Sequence, residues 1–180
     1  MIHNDNNKKT SSIGHSRKSE LKYKHSNGIN HVEALREIAF SYLSYAQARI
    51  SGHRVASSVL AFKKDRTRSS RRLEYRDRNT NMFRVFGGCN LEISVSTVLH
   101  AEAIALYKAL SEGYTKIQAV GVTSDHEDQI RPLCGACRQL YMYVNPLTTI
   151  YVFGKDKKVK LKVKLIDTIN YPYLSKGKIT

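Results

Sequence analysis

Two short clusters of metal-binding side chains constrain this chain more than any other feature. His100-Ala101-Glu102 stands at the start of one segment with helical spacing, and Cys134-Gly135-Ala136-Cys137 opens another. Together they offer one imidazole and two thiols, which are common zinc ligands, and one further carboxylate. A chain that uses these side chains as one site must bring the starts of two helices close together.

The spacing of apolar residues predicts helices and strands in alternation, which is typical of a layered α/β domain. Gly113 is a natural helix stop, and the strict alternation in KVKLKVKL predicts a strand with one buried face. Its lysines are best explained as protection of an edge strand against pairing with other chains. We expect helices at about 30–51, 98–112 and 134–144, and strands at about 54–62, 82–86, 117–122, 148–153 and 158–165.

The length of 180 residues suits one domain. We expect residues 1–28 to be a disordered basic tail, because large apolar side chains are scarce there, and residues 29–180 to form the domain. Residues 63–81 read as a basic insertion within it. No apolar run predicts a membrane span or a signal peptide, and three cysteines are too few and too odd in number for a disulfide framework. These features favour a cytoplasmic protein without a membrane partner.

The net charge of +15 is concentrated in three segments. Basic residues outnumber acidic ones by six to two in residues 1–30, by nine to three in residues 63–84, and by eight to two in residues 155–180. Such a surface attracts polyanions, so nucleic acid is a candidate partner through the tail and the insertion. A solvated basic surface without a specific partner is an equally good explanation of the charge alone.

The two clusters fit a catalytic zinc site. Cys134 and Cys137 are three residues apart and face the same way if they open a helix, while His100 can supply a third ligand. Three protein ligands leave the fourth tetrahedral position for a water molecule. Glu102 follows His100 by two residues, which places it beside the metal as a general acid and base. A redox Cys-x-x-C pair and a zinc finger are alternatives, but the finger needs a fourth ligand at close spacing.

From about Tyr45 to Tyr173 the chain resembles the cytidine deaminase family, within the zinc-dependent cytidine/deoxycytidylate deaminase superfamily. The resemblance rests on three stretches: Gly-Gly-Cys-Asn-Leu-Glu at 87–92, His-Ala-Glu at 100–102 and Cys-Gly-Ala-Cys-Arg-Gln at 134–139. It implies a three-layer α/β/α sandwich with a five-stranded mixed sheet. It also implies one Zn²⁺ per chain, bound by His100, Cys134 and Cys137, with Glu102 as the proton shuttle.

The same resemblance implies where a substrate would bind. Asn90 and Glu92 would hydrogen-bond the ribose of a nucleoside, and Ala101 would contribute to the substrate site. His53 stands where other members carry an aromatic residue that stacks on the base, so it is the candidate for that contact. Leu133 occupies a position that is proline in the family, which predicts a different loop before the first cysteine.

We therefore expect a pyrimidine-salvage enzyme that hydrolyses the amino group of cytidine or deoxycytidine, giving uridine or deoxyuridine and ammonia. The resemblance further implies a homo-oligomer, either a dimer or a tetramer. Two alternatives stay open: a cytosine deaminase acting on single-stranded RNA or DNA, and a catalytically idle, zinc-stabilised RNA-binding module. Retention of Glu102 argues against the idle module.

Overall fold

A computed structural model describes residues 30–63, 82–126 and 132–170. The predicted tail at 1–28 lies outside these residues, as does the predicted insertion at 63–81 apart from Lys63. No helix in the described ranges is long and apolar enough to cross a membrane. The elements are helices α1 (His31–Leu43), α2 (Ala101–Ser111) and α3 (Gly135–Val144), a short 3-10 helix (Leu165–Thr168), and strands β1 (Val55–Lys63), β2 (Met82–Cys89), β3 (Leu91–Ser94), β4 (Thr97–Leu99), β5 (Lys116–Ser124), β6 (Thr149–Phe153) and β7 (Val159–Lys164).

Five strands form one mixed sheet in the order β2-β1-β5-β6-β7. Strands β5 and β6 run parallel, because helix α3 crosses between them, and the other neighbours are antiparallel. Val59 at the centre of β1 pairs with Phe86 of β2 on one side and Val120 of β5 on the other. The predicted five-stranded mixed sheet is confirmed.

The sheet carries a hydrophobic core on each face, which confirms the predicted three-layer sandwich. Helix α1 packs Leu35 and Ile38 on one face, and residues including Leu60 and Phe83 meet them from the sheet. Helices α2 and α3 cover the other face, where Leu106 and Tyr141 are fully buried. Neighbouring residues of a strand point to opposite faces, so β1 serves both cores.

Two local predictions differ from the structure. Helix α1 ends at Leu43 and not at residue 51, because Gln47 pairs its backbone with the segment that leads into β3. The Gln47 N–H donates to the Asn90 carbonyl at 3.0 Å, and its own carbonyl accepts from the Glu92 N–H at 2.9 Å. The hairpin of β3 and β4 was not predicted; it connects the central sheet to α2.

Strand β7 lies at the edge of the sheet and pairs only with β6, as the alternating lysines predicted. Lys160, Lys162 and Lys164 are exposed, whereas Leu161 and Val163 are half-buried against the core. The lysine side chains therefore lie on the face of β7 that is exposed to solvent.

Candidate metal and catalytic site

Helices α2 and α3 begin close together, and the residues that cap them are the predicted metal ligands. His100 is the N-cap of α2 and Cys134 is the N-cap of α3. The Cys134 sulfur accepts a hydrogen bond from the Cys137 N–H at 3.4 Å, as a capping side chain does. Both helix starts direct a partial positive charge toward the space between them.

The donor atoms of the three residues have the spacing of a tetrahedral metal site. The Nδ1 atom of His100 is 3.2 Å from the Cys134 sulfur and 3.5 Å from the Cys137 sulfur. All three donor atoms lie within 4.8 Å of one another. Tetrahedral zinc with ordinary Zn–S and Zn–N bonds would separate a sulfur and a nitrogen by about 3.6 Å. The side chains present therefore fit a Zn²⁺ ion without rearrangement.

Glu102 lies in the first turn of α2, beside this cluster and away from solvent. Its side chain is buried and lines the same cavity as His100 and Cys134. Burial raises the pKa of the Glu102 carboxyl above its usual value, although the neighbouring His100 and the Cys137 thiol oppose the shift. A carboxyl held so that it can both accept and release a proton is the group that general acid–base catalysis requires.

The surroundings of the Cys137 thiol disfavour its ionisation. Burial, together with the charges of Glu102 and Cys134, raises the pKa of this thiol well above its ordinary value. The positive end of α3 alone does not offset these effects, so a thiolate at this position needs a metal ion to compensate its charge. A divalent metal bound here would therefore displace the proton of Cys137.

Two contacts fix the first turn of α2 relative to the rest of the domain. A Cβ atom at Gly88 of β2 would lie 2.5 Å from the Ala101 carbonyl oxygen and 2.7 Å from the Ala105 nitrogen, so only glycine permits this approach. From the other side, the fully buried Tyr141 of α3 donates its hydroxyl to the Glu102 carbonyl at 2.9 Å. These contacts determine the distance between the two helix starts.

The cluster forms part of the wall of a cavity of about 900 Å³. Cavities of this size bind small organic molecules in many proteins. The predicted substrate residues Asn90, Glu92, His53 and Ala101 all line it. Ala101 is fully buried at the base of α2, so it contributes mainly to the shape of the cavity wall.

Asn90 and Glu92 also hold the loop that leads into β1. The Asn90 side chain accepts from the Val55 N–H and donates to the His53 carbonyl, both at 2.9 Å. Glu92 accepts from the N–H groups of Ile50 and Ser51 at 2.6 and 2.9 Å, and from the Ser51 hydroxyl. These bonds lower the pKa of the Glu92 carboxyl. Each side chain thus supports the cavity wall, and their contact with a ribose stays a prediction.

The cavity includes residues that the sequence did not single out. His126 faces His53 with ring centroids 4.5 Å apart, and Lys155 lies on the exposed rim. Both follow the ends of central strands, where side chains from distant parts of the chain meet. Pairing of β1 with β5, which no local pattern reveals, brings His126 to His53.

The loop before Cys134 departs from ordinary backbone geometry. Leu133 has a φ of +25° and is buried in the core beneath α3. Proline cannot adopt this angle, because its ring holds φ near −65°. The predicted difference in loop shape relative to proline-bearing family members is therefore consistent with the backbone found at this position.

Comparisons with known proteins agree with this fold. No model of a known protein family matches the chain. The cytidine deaminase of Sporosarcina psychrophila is 40% identical over 57 residues, which is 31% of this chain and 41% of that protein. The probable cytidine deaminase of Dictyostelium discoideum is 41% identical over 61 residues, or 33% and 42% of the two chains. The matches thus span about two-fifths of these curated relatives.

Solved structures match over a longer range. The crystal structure of cytidine deaminase from Burkholderia pseudomallei superposes with a TM-score of 0.62 and 26% identity, covering 81% of this chain and 100% of that one. Cytidine deaminase from Mycobacterium tuberculosis gives a TM-score of 0.57 at 20% identity, covering 81% and 98%, which shows a shared fold. Over part of its sequence and over most of its fold, the chain is thus similar to cytidine deaminases.

Proposed function

We propose that the protein is a zinc-dependent hydrolase that converts cytidine or deoxycytidine to uridine or deoxyuridine and releases ammonia. One observation carries the proposal: three donor atoms lie at tetrahedral spacing, and two of their residues, His100 and Cys134, line one cavity with the buried carboxyl of Glu102. His100, Cys134 and Cys137 would hold the ion. When bound, zinc lowers the pKa of water to about 7 and so makes hydroxide available at neutral pH.

Glu102 would carry the protons of the reaction. Its carboxylate accepts a proton from the attacking water and delivers it to the ring nitrogen next to the carbon that bears the amino group. A second transfer to the amino group then lets ammonia leave. Burial raises the pKa of this carboxyl, and its position beside the three ligands suits it to take up and release a proton. Asn90, Glu92 and His53 would orient the nucleoside in the cavity.

The test combines metal analysis with an ammonia-release assay on free cytidine and deoxycytidine. Wild-type protein should contain one zinc per chain and release ammonia. Glu102→Gln should keep the zinc and lose activity by about 100-fold or more, as loss of a general acid–base group does. Glu37→Gln is the matched control, since Glu37 lies half-exposed on helix α1 on the other face of the sheet. A Glu102→Gln enzyme with wild-type turnover would refute the assignment.

Single-stranded RNA or DNA is a second candidate substrate. The exposed Lys155 on the cavity rim favours it, together with the net charge of +15. A parallel assay of cytidine and a cytosine-containing oligonucleotide decides between the two. Conversion of the oligonucleotide alone, with a rate that falls steeply as salt rises, would favour the second candidate. Zinc binding without turnover of either substrate would favour the idle RNA-binding module.

We also propose that the protein is a homo-oligomer. Ile93, Val95 and Val98 on the β3–β4 hairpin are exposed, with 87% of the Val95 surface open to solvent. Contiguous exposed apolar side chains next to a cavity are typical of an interface with another protein. Light scattering after size-exclusion chromatography should give a dimer or tetramer, and Val95→Lys should lower the mass toward the monomer.

A cytoplasmic location stays a prediction from the cysteine count.

A further inference from the structure

A second group of metal-binding side chains lies beside the cavity, and two of its members line it. The lining residues His53 and His126 are adjacent, with ring centroids 4.5 Å apart and planes tilted by 56°. Asp125 completes the group, and its carboxylate and the two imidazoles each offer a ligand atom within 4.8 Å of the others. None of these residues belongs to the site formed by His100 and the two cysteines.

The central sheet holds this second group in place. His53 lies just before β1 and Asp125 just after β5, and the pairing of Val55 with Ser124 brings the two ends together. The ladder continues one step further, because the Asp125 N–H donates to the Arg54 carbonyl at 3.1 Å. The Arg54 N–H in turn donates to the Asp125 Oδ1 atom at 3.0 Å. The ligand atoms are therefore preorganised by backbone pairing and not by a loose surface loop.

The donor set selects a class of metal. Two imidazole nitrogens and one carboxylate oxygen suit borderline divalent ions such as Zn²⁺, Co²⁺, Ni²⁺ and Cu²⁺. The Nε2 atom of His126 is 3.6 Å from the Asp125 Oδ1 atom, close to the separation of about 3.3 Å that tetrahedral ligands require. The other oxygen, Oδ2, accepts from the Arg54 Nε at 3.0 Å. This ion pair leaves Oδ1 with a free lone pair but reduces the charge available to a metal.

We propose that His53, Asp125 and His126 form a second binding site for a divalent transition metal, weaker than the thiolate site, beside the cavity. The absence of thiolates and the competing Arg54 guanidinium make binding reversible. Because His53 and His126 line the cavity, a metal bound to them would take up space next to a bound ligand, so excess metal should inhibit the enzyme. The inhibition rests on the proposed function, whereas the binding does not.

Titration of the full-length, zinc-loaded protein with Co²⁺ tests the binding. We expect one additional equivalent of Co²⁺ with the visible bands of nitrogen and oxygen ligands and without thiolate charge-transfer absorption. His126→Ala should remove this equivalent, and Asp125→Asn should weaken it by about tenfold or more. His126→Gln serves as a second variant that keeps the size of the exposed side chain. Circular dichroism verifies the fold of each variant.

The tail provides the control, because His3, His15 and His25 could bind metal independently. A variant with these three histidines replaced by glutamine should keep the additional equivalent. Loss of that equivalent in the tail variant, or an unchanged titration in His126→Ala, would overturn the proposal.

The inhibition is measured as the ratio of deaminase rates with and without added Zn²⁺, separately for wild type and Asp125→Asn. The concentration needed for half-inhibition should rise about tenfold or more in the variant. Equal inhibition of both proteins would overturn the blocking role of the site. A protein with no deaminase activity would refute the proposed function alone, since the Co²⁺ titration still decides whether the second site exists.

Discussion

Replacing Gly88 by alanine would force a methyl group into the contact between strand β2 and the first turn of helix α2. The new Cβ would meet the Ala101 carbonyl oxygen at 2.5 Å and the Ala105 nitrogen at 2.7 Å. Both are backbone atoms, so no side-chain rotation relieves the clash. To restore ordinary van der Waals contact, α2 must move away from the sheet by roughly 1 Å.

The displacement has two measurable consequences. Insertion of a methyl group into close-packed structure costs about 1–3 kcal/mol of unfolding free energy, which corresponds to a fall in Tm of roughly 3–10 °C for a domain of this size. His100 and Glu102 move with α2 while the cysteines stay on α3. A shift of about 1 Å in a catalytic arrangement can lower turnover by about 100-fold. Zinc affinity should fall as well, because the His100–sulfur distances lengthen.

Thermal unfolding, zinc stoichiometry and cytidine turnover of Gly88→Ala test these expectations together. Gly135→Ala is the matched control for stability, since a Cβ at Gly135 meets no atom within 4 Å. Its Tm should equal or exceed that of wild type, because alanine favours the helix by about 0.5–1 kcal/mol. If Gly88→Ala retained the wild-type Tm and zinc affinity, close packing at Gly88 would not be what positions α2.

Three further predictions concern other parts of the site. Tyr141→Phe removes the hydroxyl that bonds to the Glu102 carbonyl, and we expect denaturant unfolding to show a loss of about 1–1.5 kcal/mol, with a fall in kcat larger than any rise in KM. Glu92 has a lowered pKa through its bonds to Ser51, so its stabilisation is present above its usual pKa and lost as pH falls through the folded value. Between about pH 5 and 3 wild type should therefore lose stability more steeply than Glu92→Gln, as measured by Tm. Chelation of zinc should lower the Tm of wild type but not of Cys137→Ala, because binding energy at such sites stabilises the fold; an equal effect on both would contradict the assignment of this ligand.

The layered α/β architecture was predictable because most elements carry a clear periodicity. The predicted α1 was too long because Ala46 continues the apolar spacing of the helix. In the structure, the backbone of Gln47 instead pairs with a segment more than 40 residues away in the sequence. The β3–β4 hairpin was missed since its strands are only four and three residues long, and its apolar side chains are exposed instead of alternating with a buried face.

The candidate metal site was accessible from sequence because its ligands lie in two short motifs that open helices. The second group, formed by His53, Asp125 and His126, was not, since His53 and Asp125 are adjacent only through the register of β1 with β5. The role of Tyr141 was equally hidden, because a buried tyrosine in an apolar helix face looks like any core residue until its hydroxyl partner is known.

The division of the interior by the sheet has a practical consequence for engineering. Substitutions beneath α1, around Leu35 and Phe83, change a compartment that contains none of the candidate ligands. Heat resistance could therefore be raised or lowered from that side while turnover stays constant. Changes beneath α2 and α3, in contrast, would alter thermal stability and turnover at once. A mutant library aimed at higher thermal stability should therefore begin with the core beneath α1.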